Sequence, residues 1–151
     1  MGEAPGRRNG APLDSAAFSA KLPALRGFTR VNVLDSYPGR DGKGALFPER
    51  EAWRGAIYLD RKTPKDRAMI FMGARVAWAF GMLRRDFRWC EWRTWRGRRV
   101  AVVPHPSGIV RWWNDPKNRE LAATFLADAL KMGEDTRHQK KWEDTGQSES
   151  A

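Results

Sequence analysis

The sequence predicts a small three-layer α/β/α domain, in which helices cover both faces of a short, mostly parallel central sheet. Two short apolar runs, residues 68–72 and 100–103, have the composition of strands that are buried on both faces. A segment with helical spacing of apolar residues follows each run. Loops rich in Gly and Pro lie where strands are expected to end, which is typical of an open α/β sheet.

Length and composition predict one folded domain between two tails. The chain has 151 residues, and its hydrophobic fraction of 41% is sufficient for a sizeable core. Residues 1–12 are rich in Gly, Pro and Arg and predict a disordered arm. Residues 134–151 are polar and charged and predict a tail. We therefore place the folded domain at residues 13–133.

The domain is expected to begin with a helix and a strand. Asp14 or Ser15 can cap a short helix, which Gly27 ends. Residues 30–34 read Arg-Val-Asn-Val-Leu, and this alternation predicts the first strand.

The middle of the chain predicts a long loop and a strand–helix unit. Residues 35–44 form a Gly-rich turn, and residues 49–53 have the pattern of a helical turn. Residues 56–59 fit either a short strand or part of a loop. The second strand, residues 68–72, leads into a helix predicted at residues 74–82.

The last third predicts a central strand and a final helix. Residues 83–99 are rich in Arg and Trp and fit either a surface excursion or a pair of strands. The strand at residues 100–103 follows. Asn114 or Asp115 can cap the final helix, which Gly133 is expected to end.

The charge favours a polyanionic partner. The net charge is +10, with 28 Lys and Arg against 18 Asp and Glu, so nucleic acid is the first expectation. Arginine suits bidentate phosphate contacts, and some of the eight tryptophans can stack on bases. The alternative is a basic enzyme with no nucleic-acid role. For the arginines of residues 83–99, the alternative to phosphate contact is a solvated surface.

Other classes of protein are disfavoured. No apolar run approaches the roughly 20 residues that span a bilayer, and the N-terminus lacks the apolar stretch of a secretory signal. We therefore expect a cytoplasmic protein without membrane contact. Cys90 is the single cysteine and is expected to be a packed thiol, which precludes an internal disulfide or a cysteine-ligated cluster. We expect no cofactor and no metal site, although a carboxylate-bound magnesium ion is compatible with the sequence.

The most distinctive loop surrounds His105. Pro104 and Pro106 bracket this histidine and stiffen the loop, because each proline fixes its own φ and restricts the preceding residue. A histidine at the carboxyl end of a central strand lies where open α/β sheets bind ligands. Since His138, the only other histidine, lies in the predicted tail, any histidine chemistry in the domain is expected to use His105.

The first loop offers a carboxylate, Asp35, on the opposite lip of the expected crevice. This pairing suits hydrolysis of a glycosidic bond. The carboxylate orients water and stabilises an oxocarbenium ion, and the histidine stabilises the anionic leaving group. A serine hydrolase is disfavoured because no Gly-x-Ser-x-Gly is present. A phosphate-binding loop is disfavoured because the Gly-rich turn lacks Gly-Lys-Ser/Thr.

The motif His105-Pro106-Ser107-Gly108, followed by Arg111 and Asn114, resembles the second signature of the uracil-DNA glycosylase superfamily. Residues 69–81 are similar to the strand and helix of that superfamily. The resemblance covers residues 28–130 and implies a uracil-DNA glycosylase-like fold. It also implies a DNA N-glycosylase, a hydrolase that flips a nucleotide out of the duplex and leaves an abasic site.

Residues 35–39 resemble the first signature of that superfamily more loosely. Tyr37 stands before the proline, where the superfamily usually has Asp or Asn. Either Asp35 holds the water from a shifted position, or the chemistry differs.

The resemblance implies roles for individual residues. Asp35 and His105 would be catalytic. The residues expected to bind the base are Asn32, Ser36, Tyr37, Phe47 and Asn114. The residues expected to contact DNA are Ser107, Gly108, Ile109, Val110, Arg111, Trp112, Arg40 and Lys43. For Trp112 and its neighbour Trp113, the alternative is that they anchor the loop on the final helix.

Chain length, Tyr37 and the run of residues 112–114 bring the sequence closest to a compact, phage-related subset of the superfamily. The subset includes alpha-glutamyl/putrescinyl thymine pyrophosphorylase-like proteins and Brig-type anti-phage glycosylases. The resemblance therefore implies a monomer that excises a bulky modified pyrimidine, such as glucosylated hydroxymethylcytosine or a modified thymine, from DNA in antiviral defence. Two alternatives stay open. One is a base-hypermodifying transferase or pyrophosphorylase, and the other is a non-catalytic module that binds modified bases.

Overall fold

The fold is built around a three-stranded sheet. The computed structural model describes residues 22, 24, 27–29, 31–34, 40–41, 44–45, 47–106 and 110–148. The elements are β1 (Arg40–Asp41), β2 (Gly44–Ala45), α1 (Glu49–Lys62), β3 (Met69–Met72), α2 (Ala74–Ala79), β4 (Arg93–Trp95), β5 (Arg98–Val103) and α3 (Pro116–Ser148), with single 3₁₀ turns at Arg84–Asp86 and Arg111–Asn114. The predicted arm at residues 1–12 lies outside the described residues.

The sheet has the order β3-β5-β4, with β5 in the centre. β3 and β5 are parallel, and Met72 lies opposite Val103. β4 and β5 are antiparallel. The described sheet is therefore mixed rather than mostly parallel, because a hairpin supplies its third strand. The strands predicted at residues 68–72 and 100–103 are confirmed, and β5 begins at Arg98.

Side chains that alternate along the strands bury both faces of the sheet. On one face, Phe71 and Val102 share a core cluster with Ala77 of α2. On the other face, Val103 shares a cluster with Leu126 of α3. Helices thus cover both faces, as the apolar runs predicted for strands without a solvent face. The described residues form a small α/β domain.

The prediction of a strand at residues 30–34 is wrong over the described residues 31–34, which carry no strand. The segment packs on α1 instead. Gly55 makes this possible, because a Cβ at this position would lie 1.8 Å from the carbonyl oxygen of Val33. Val33 packs against Ala52 and Ala56 of the helix. The alternation therefore reflects contact with a helix surface and not a sheet register.

Two helices extend beyond their predicted ends. Residues 56–59, predicted as a strand or a loop, belong to α1 (Glu49–Lys62). Gly133 does not end the last helix, since α3 continues to Ser148 through most of the predicted tail. A glycine inside a helix costs only about 1 kcal/mol, which neighbouring residues can offset.

The segment at residues 83–99 contributes a 3₁₀ turn and one strand of a hairpin, which supports the strand-pair interpretation. Arg96 and Gly97 connect β4 to β5 and have φ values of 50° and 77°. Positive φ at both central residues is the conformation of a type I′ turn, which matches the twist of an antiparallel pair. The preceding α2 ends at Ala79, earlier than predicted, and Gly81 reverses the chain at φ 91°.

Arg98, the first residue of β5, joins the sheet to the end of α1. The side chain is buried, and the residue is 2% exposed. Its guanidinium donates hydrogen bonds to the carbonyl oxygens of Asp60, Thr63, Pro64 and Arg67 at 3.2, 2.8, 2.6 and 2.8 Å. It also lies 3.3 Å from the Asp60 carboxylate. One side chain therefore binds four carbonyl groups at the end of a helix and in the following turn, a place where carbonyl groups lack intrahelical partners.

We expect Arg98→Ala to lower the free energy of unfolding by about 3 kcal/mol or more, because four partly buried carbonyl groups lose a charged donor and a large buried side chain is removed. Urea denaturation followed by tryptophan fluorescence measures the change. Arg99→Ala is the matched control, because the Arg99 guanidinium is exposed and lies 5.0 Å from the Trp92 ring. The control should cost less than about 1 kcal/mol. Equal losses in the two variants would contradict the structural role of Arg98.

Candidate functional site

His105 lies at the edge of the sheet where the two parallel strands end. Met72 and Val103 are the paired last residues of β3 and β5. The Gly73 N–H donates a hydrogen bond to the Val103 carbonyl oxygen at 2.7 Å, which keeps the two chain ends together. The structure thus places His105 two residues beyond the carboxyl end of the central strand, where α/β sheets bind ligands.

Gly73 allows the histidine to lie against the end of β3. A Cβ on Gly73 would come within 3.1 Å of the His105 Cβ. Gly73 also has φ 103° and ψ 157°, a conformation that residues with side chains rarely adopt. Both the space and the backbone at this point therefore require glycine.

Trp113 holds the His105 loop from the other side. Its indole Nε1–H donates a hydrogen bond to the His105 carbonyl oxygen at 2.8 Å. The ring packs against the core cluster of Leu22, Val103 and Leu126. The anchoring interpretation therefore applies to Trp113.

Trp112 makes an edge-to-face contact with Trp113, with ring centroids 4.9 Å apart. The Asn118 side-chain amide donates to the Trp112 carbonyl oxygen at 2.9 Å, which attaches the 3₁₀ turn to the start of α3. Asn114 ends that turn and is exposed. DNA contact by Trp112 and base contact by Asn114 stay predictions.

The imidazole of His105 is neutral at neutral pH. Burial lowers its pKa below the ordinary value of about 6.5, and the positive charge of Arg75 lowers it further. A neutral imidazole offers one N–H donor and one acceptor nitrogen. The group can therefore donate a hydrogen bond to a carbonyl oxygen without itself carrying charge.

Arg75 acts on His105 through its charge and lies beside Phe47, and it was not among the residues predicted from the sequence. Arg75 lies in the first turn of α2, two residues after Gly73. Its guanidinium lies 5.8 Å from the centroid of the Phe47 ring. The available signal was its position directly beyond a predicted strand, where α/β proteins place ligand-binding side chains. We call His105, Gly73, Arg75 and Phe47 the His105 cluster.

The structure describes only part of the predicted site. Phe47 lies beside Arg75, and its contact with a base stays a prediction. Asn32 is exposed in the segment that packs on α1. Arg40 lies in β1, which pairs with β2 inside the predicted Gly-rich turn. The predicted site residues outside the described residues are Asp35, Ser36, Tyr37, Lys43, Ser107, Gly108 and Ile109.

Two further predicted DNA contacts, Val110 and Arg111, lie at the start of the 3₁₀ turn Arg111–Asn114. Arg111 is exposed, whereas Val110 is half-buried and its carbonyl oxygen accepts from the Trp113 N–H at 3.3 Å. The turn therefore presents a basic side chain beside the loop that carries His105.

Most arginines between residues 84 and 99 have partners within the protein. Arg84 donates to the Phe87 carbonyl oxygen at 2.9 Å, and its guanidinium lies 4.7 Å from the Trp89 ring. Arg93 donates to the carbonyl oxygen of Asp86. Arg98 and Arg99 are engaged as described above. These contacts favour a packing role for much of the segment over a role in phosphate binding.

Cys90 is unsuited to nucleophilic chemistry at neutral pH. Burial raises the pKa of its thiol to about 11, so the reactive thiolate is scarce. Its backbone N–H donates to the Val102 carbonyl oxygen at 2.8 Å. The thiol is half-buried against the second core cluster, in agreement with the expected packed cysteine.

In the ranges that the structure describes, no group of three or more His, Cys, Asp and Glu side chains is arranged to hold a metal ion. Among the described helices, none combines the length and apolar character that a bilayer-spanning segment requires. Comparisons with protein-family models, with curated proteins and with solved structures give no match to this chain.

Gly73→Ala should destabilise the fold by about 1–3 kcal/mol, because it forces a strained φ and crowds His105. Gly133→Ala is the control. Gly133 lies in α3 with open space around it, so alanine should stabilise the protein by roughly 0.5–1 kcal/mol. Chemical denaturation of both variants measures the difference, and a neutral Gly73→Ala would contradict both the strained φ and the close approach of His105.

The free energy of unfolding should fall as the pH is lowered from about 7.5 to 5.5. The unfolded chain binds a proton on His105 near its ordinary pKa of about 6.5, while the folded state resists protonation because its pKa is lower. The stabilising contribution is therefore present above this pH and is lost below it. His105→Gln should flatten the pH dependence relative to wild type, and His138→Gln should not. Parallel curves for wild type and His105→Gln would contradict the buried, neutral state of His105.

Proposed function

We propose that the protein is a DNA glycosylase with a uracil-DNA glycosylase-like fold that hydrolyses the N-glycosidic bond of a bulky modified pyrimidine. The observation that carries the proposal is the position and charge state of His105. A neutral imidazole is held at the carboxyl end of the central strand, between Gly73 and the Trp113 anchor. The same histidine begins the motif that resembles the second signature of the superfamily.

The proposed chemistry follows from the neutral imidazole. When the bond between C1′ and the base nitrogen breaks, its electron pair moves into the base and negative charge grows on a ring carbonyl oxygen. An N–H of His105 that donates to this oxygen stabilises the leaving group, and the positive charge of Arg75 adds to the effect. A lowered pKa keeps the imidazole in this donor form across the neutral range.

The remaining steps are assigned to residues of the first loop. Asp35 orients a water molecule, whose oxygen bonds to C1′ of the oxocarbenium ion. One proton of this water passes to the carboxylate and finally to the departed base, which leaves a hydroxyl on the sugar. The ring of Phe47 stacks on the flipped base beside Arg75. Base-edge contacts are proposed for Asn32, Ser36, Tyr37 and Asn114, as the resemblance implies.

A non-catalytic module that binds modified bases is the second candidate, and one observation favours it. Burial and the positive charge of Arg75 both lower the pKa of His105. A neutral histidine beside an arginine also suits the recognition of a carbonyl or an anion without bond cleavage. This candidate predicts that the wild-type protein has no turnover to lose and that DNA affinity survives both His105→Ala and Asp35→Ala.

Base release is the decisive measurement. Purified protein is incubated with DNA that carries uracil, hydroxymethylcytosine, glucosylated hydroxymethylcytosine or a modified thymine. Alkali-labile abasic sites are then counted, and the freed base is identified by mass spectrometry. We expect release of one bulky modified base. His105→Ala should lower the rate by about 100-fold or more, because a donor to the developing anion is lost. Asp35→Ala should do the same, and His138→Ala should not.

The outcomes separate the candidates. Wild-type rates in both Asp35→Ala and His105→Ala would contradict the mechanism. Tight binding to modified DNA without abasic sites would favour the binding module. Turnover only with free nucleotides, or only when pyrophosphate or another second substrate is added, would favour the base-hypermodifying transferase or pyrophosphorylase.

A further inference from the structure

The exposed face of α1 carries three arginines that the proposed chemistry does not use. Arg50, Arg54 and Arg61 are separated by four and seven residues. With 3.6 residues per turn, these spacings place them within about 40° of one another around the helix axis. All three are exposed. We call them the α1 arginine row.

The row points away from the protein interior. Ala52 and Ala56, at 0% and 1% exposure, bury the opposite side of α1 against Ala79 of α2. Two large aromatic residues of the same helix, Trp53 and Tyr58, are more than half exposed, at 53% and 57%. Helical geometry places one of them on each side of the row. The exposed face therefore combines arginine with aromatic rings.

The arginines of the row differ from those between residues 84 and 99. In the part of the chain that the structure describes, Arg50, Arg54 and Arg61 form no ion pair, hydrogen bond or ring contact. By contrast, Arg84 and Arg93 are bound to carbonyl oxygens of their own segment. The donors of the row remain available to an outside partner.

The row also extends along α1, from the end near the His105 cluster to the opposite end of the helix. α1 begins just after Phe47, where Pro48 is its N-cap, and it extends for about 20 Å at 1.5 Å per residue. At its far end, Lys65 donates to the Arg96 carbonyl oxygen at 3.3 Å. Positive side chains are therefore arranged from the cluster to the hairpin turn.

We propose that the α1 arginine row binds the phosphate backbone of duplex DNA. Guanidinium groups bind phosphate bidentately, and a helix presents them at fixed spacing. An anionic membrane surface fits less well, because a helix that lies in a bilayer interface inserts a broad apolar face, and the apolar side of α1 is buried in the protein. The inference rests on the proposed function in one respect: the DNA on this row is the DNA whose base enters at Phe47.

The test compares two variants that each lose three positive charges. The first is Arg50→Ala, Arg54→Ala, Arg61→Ala. The control is Lys117→Ala, Arg119→Ala, Lys131→Ala, which removes exposed side chains from α3 on the opposite face of the sheet. Affinity for a short, unmodified, fluorescently labelled duplex is measured by anisotropy at several salt concentrations. Thermal unfolding shows that both variants are folded.

We expect the α1 variant to lose about tenfold or more in affinity. The slope of log K against log salt concentration should fall by roughly 0.9 for each phosphate contact that is lost, or about 2–3 in total. The control variant should lose much less in both quantities. Base release by the α1 variant should slow at low DNA concentration and recover at saturating DNA, because the row binds the backbone and does not touch the reacting bond.

The outcomes distinguish this inference from the proposed function. Equal losses in both variants would overturn the row, since net charge alone would then explain binding. An unchanged affinity in the α1 variant, while wild type releases base, would overturn the row and leave the glycosylase intact. Duplex binding that depends on the row, without base release, would support DNA binding by the row and contradict the proposed glycosylase activity. Loss of affinity for phosphatidylserine vesicles with unchanged DNA affinity would assign the row to a membrane and overturn the proposal.

Discussion

The burial of Arg98 at the end of α1 is the interaction on which the geometry of the candidate site depends. Its guanidinium donates to carbonyl groups at the helix end and in the following turn, and it thereby couples α1 to the first residue of β5. The other ends of the same two elements carry Phe47 and His105. A contact at one edge of the sheet thus helps to set the distance between two side chains of the candidate site at the other edge.

Two glycines determine how closely these elements approach, because neither carries a side chain. Gly55 lets the segment containing Val33 lie directly on α1, and Gly73 lets His105 lie directly on the end of β3. A fold this small has few layers, so contacts with the backbone take the place of additional side chains at these two points. For this reason the packing of the His105 loop is more sensitive to an added methyl group at Gly73 than to changes on the surrounding surface.

The parts of the fold that follow from local pattern could be predicted from the sequence, and the parts that follow from distant contacts could not. The β-branched run at residues 100–103 and the prolines beside His105 identified the central strand and the loop correctly. Residues 31–34 alternate like a strand, but a glycine more than twenty positions away provides the surface they pack on. Arginine is usually exposed, and Arg98 is buried only because the carbonyl groups at the end of α1 bind its guanidinium. The expected carboxylate, Asp35, lies outside the described residues.

The distribution of arginines between two environments explains why net charge alone does not locate a binding surface. Where the backbone is irregular, as between residues 84 and 99, it leaves carbonyl groups and aromatic rings exposed, and arginines such as Arg84 bind to them. A regular helix satisfies its own carbonyl groups, so Arg50 and Arg54 find no partner on α1 and project outward. Under the proposed function, the arginines assigned to the phosphate backbone lie on α1, whereas the His105 donor is assigned to an anion that forms only during the reaction. Backbone binding and leaving-group stabilisation are thus proposed for different side chains, so that a phosphate does not occupy the donor that the reaction uses.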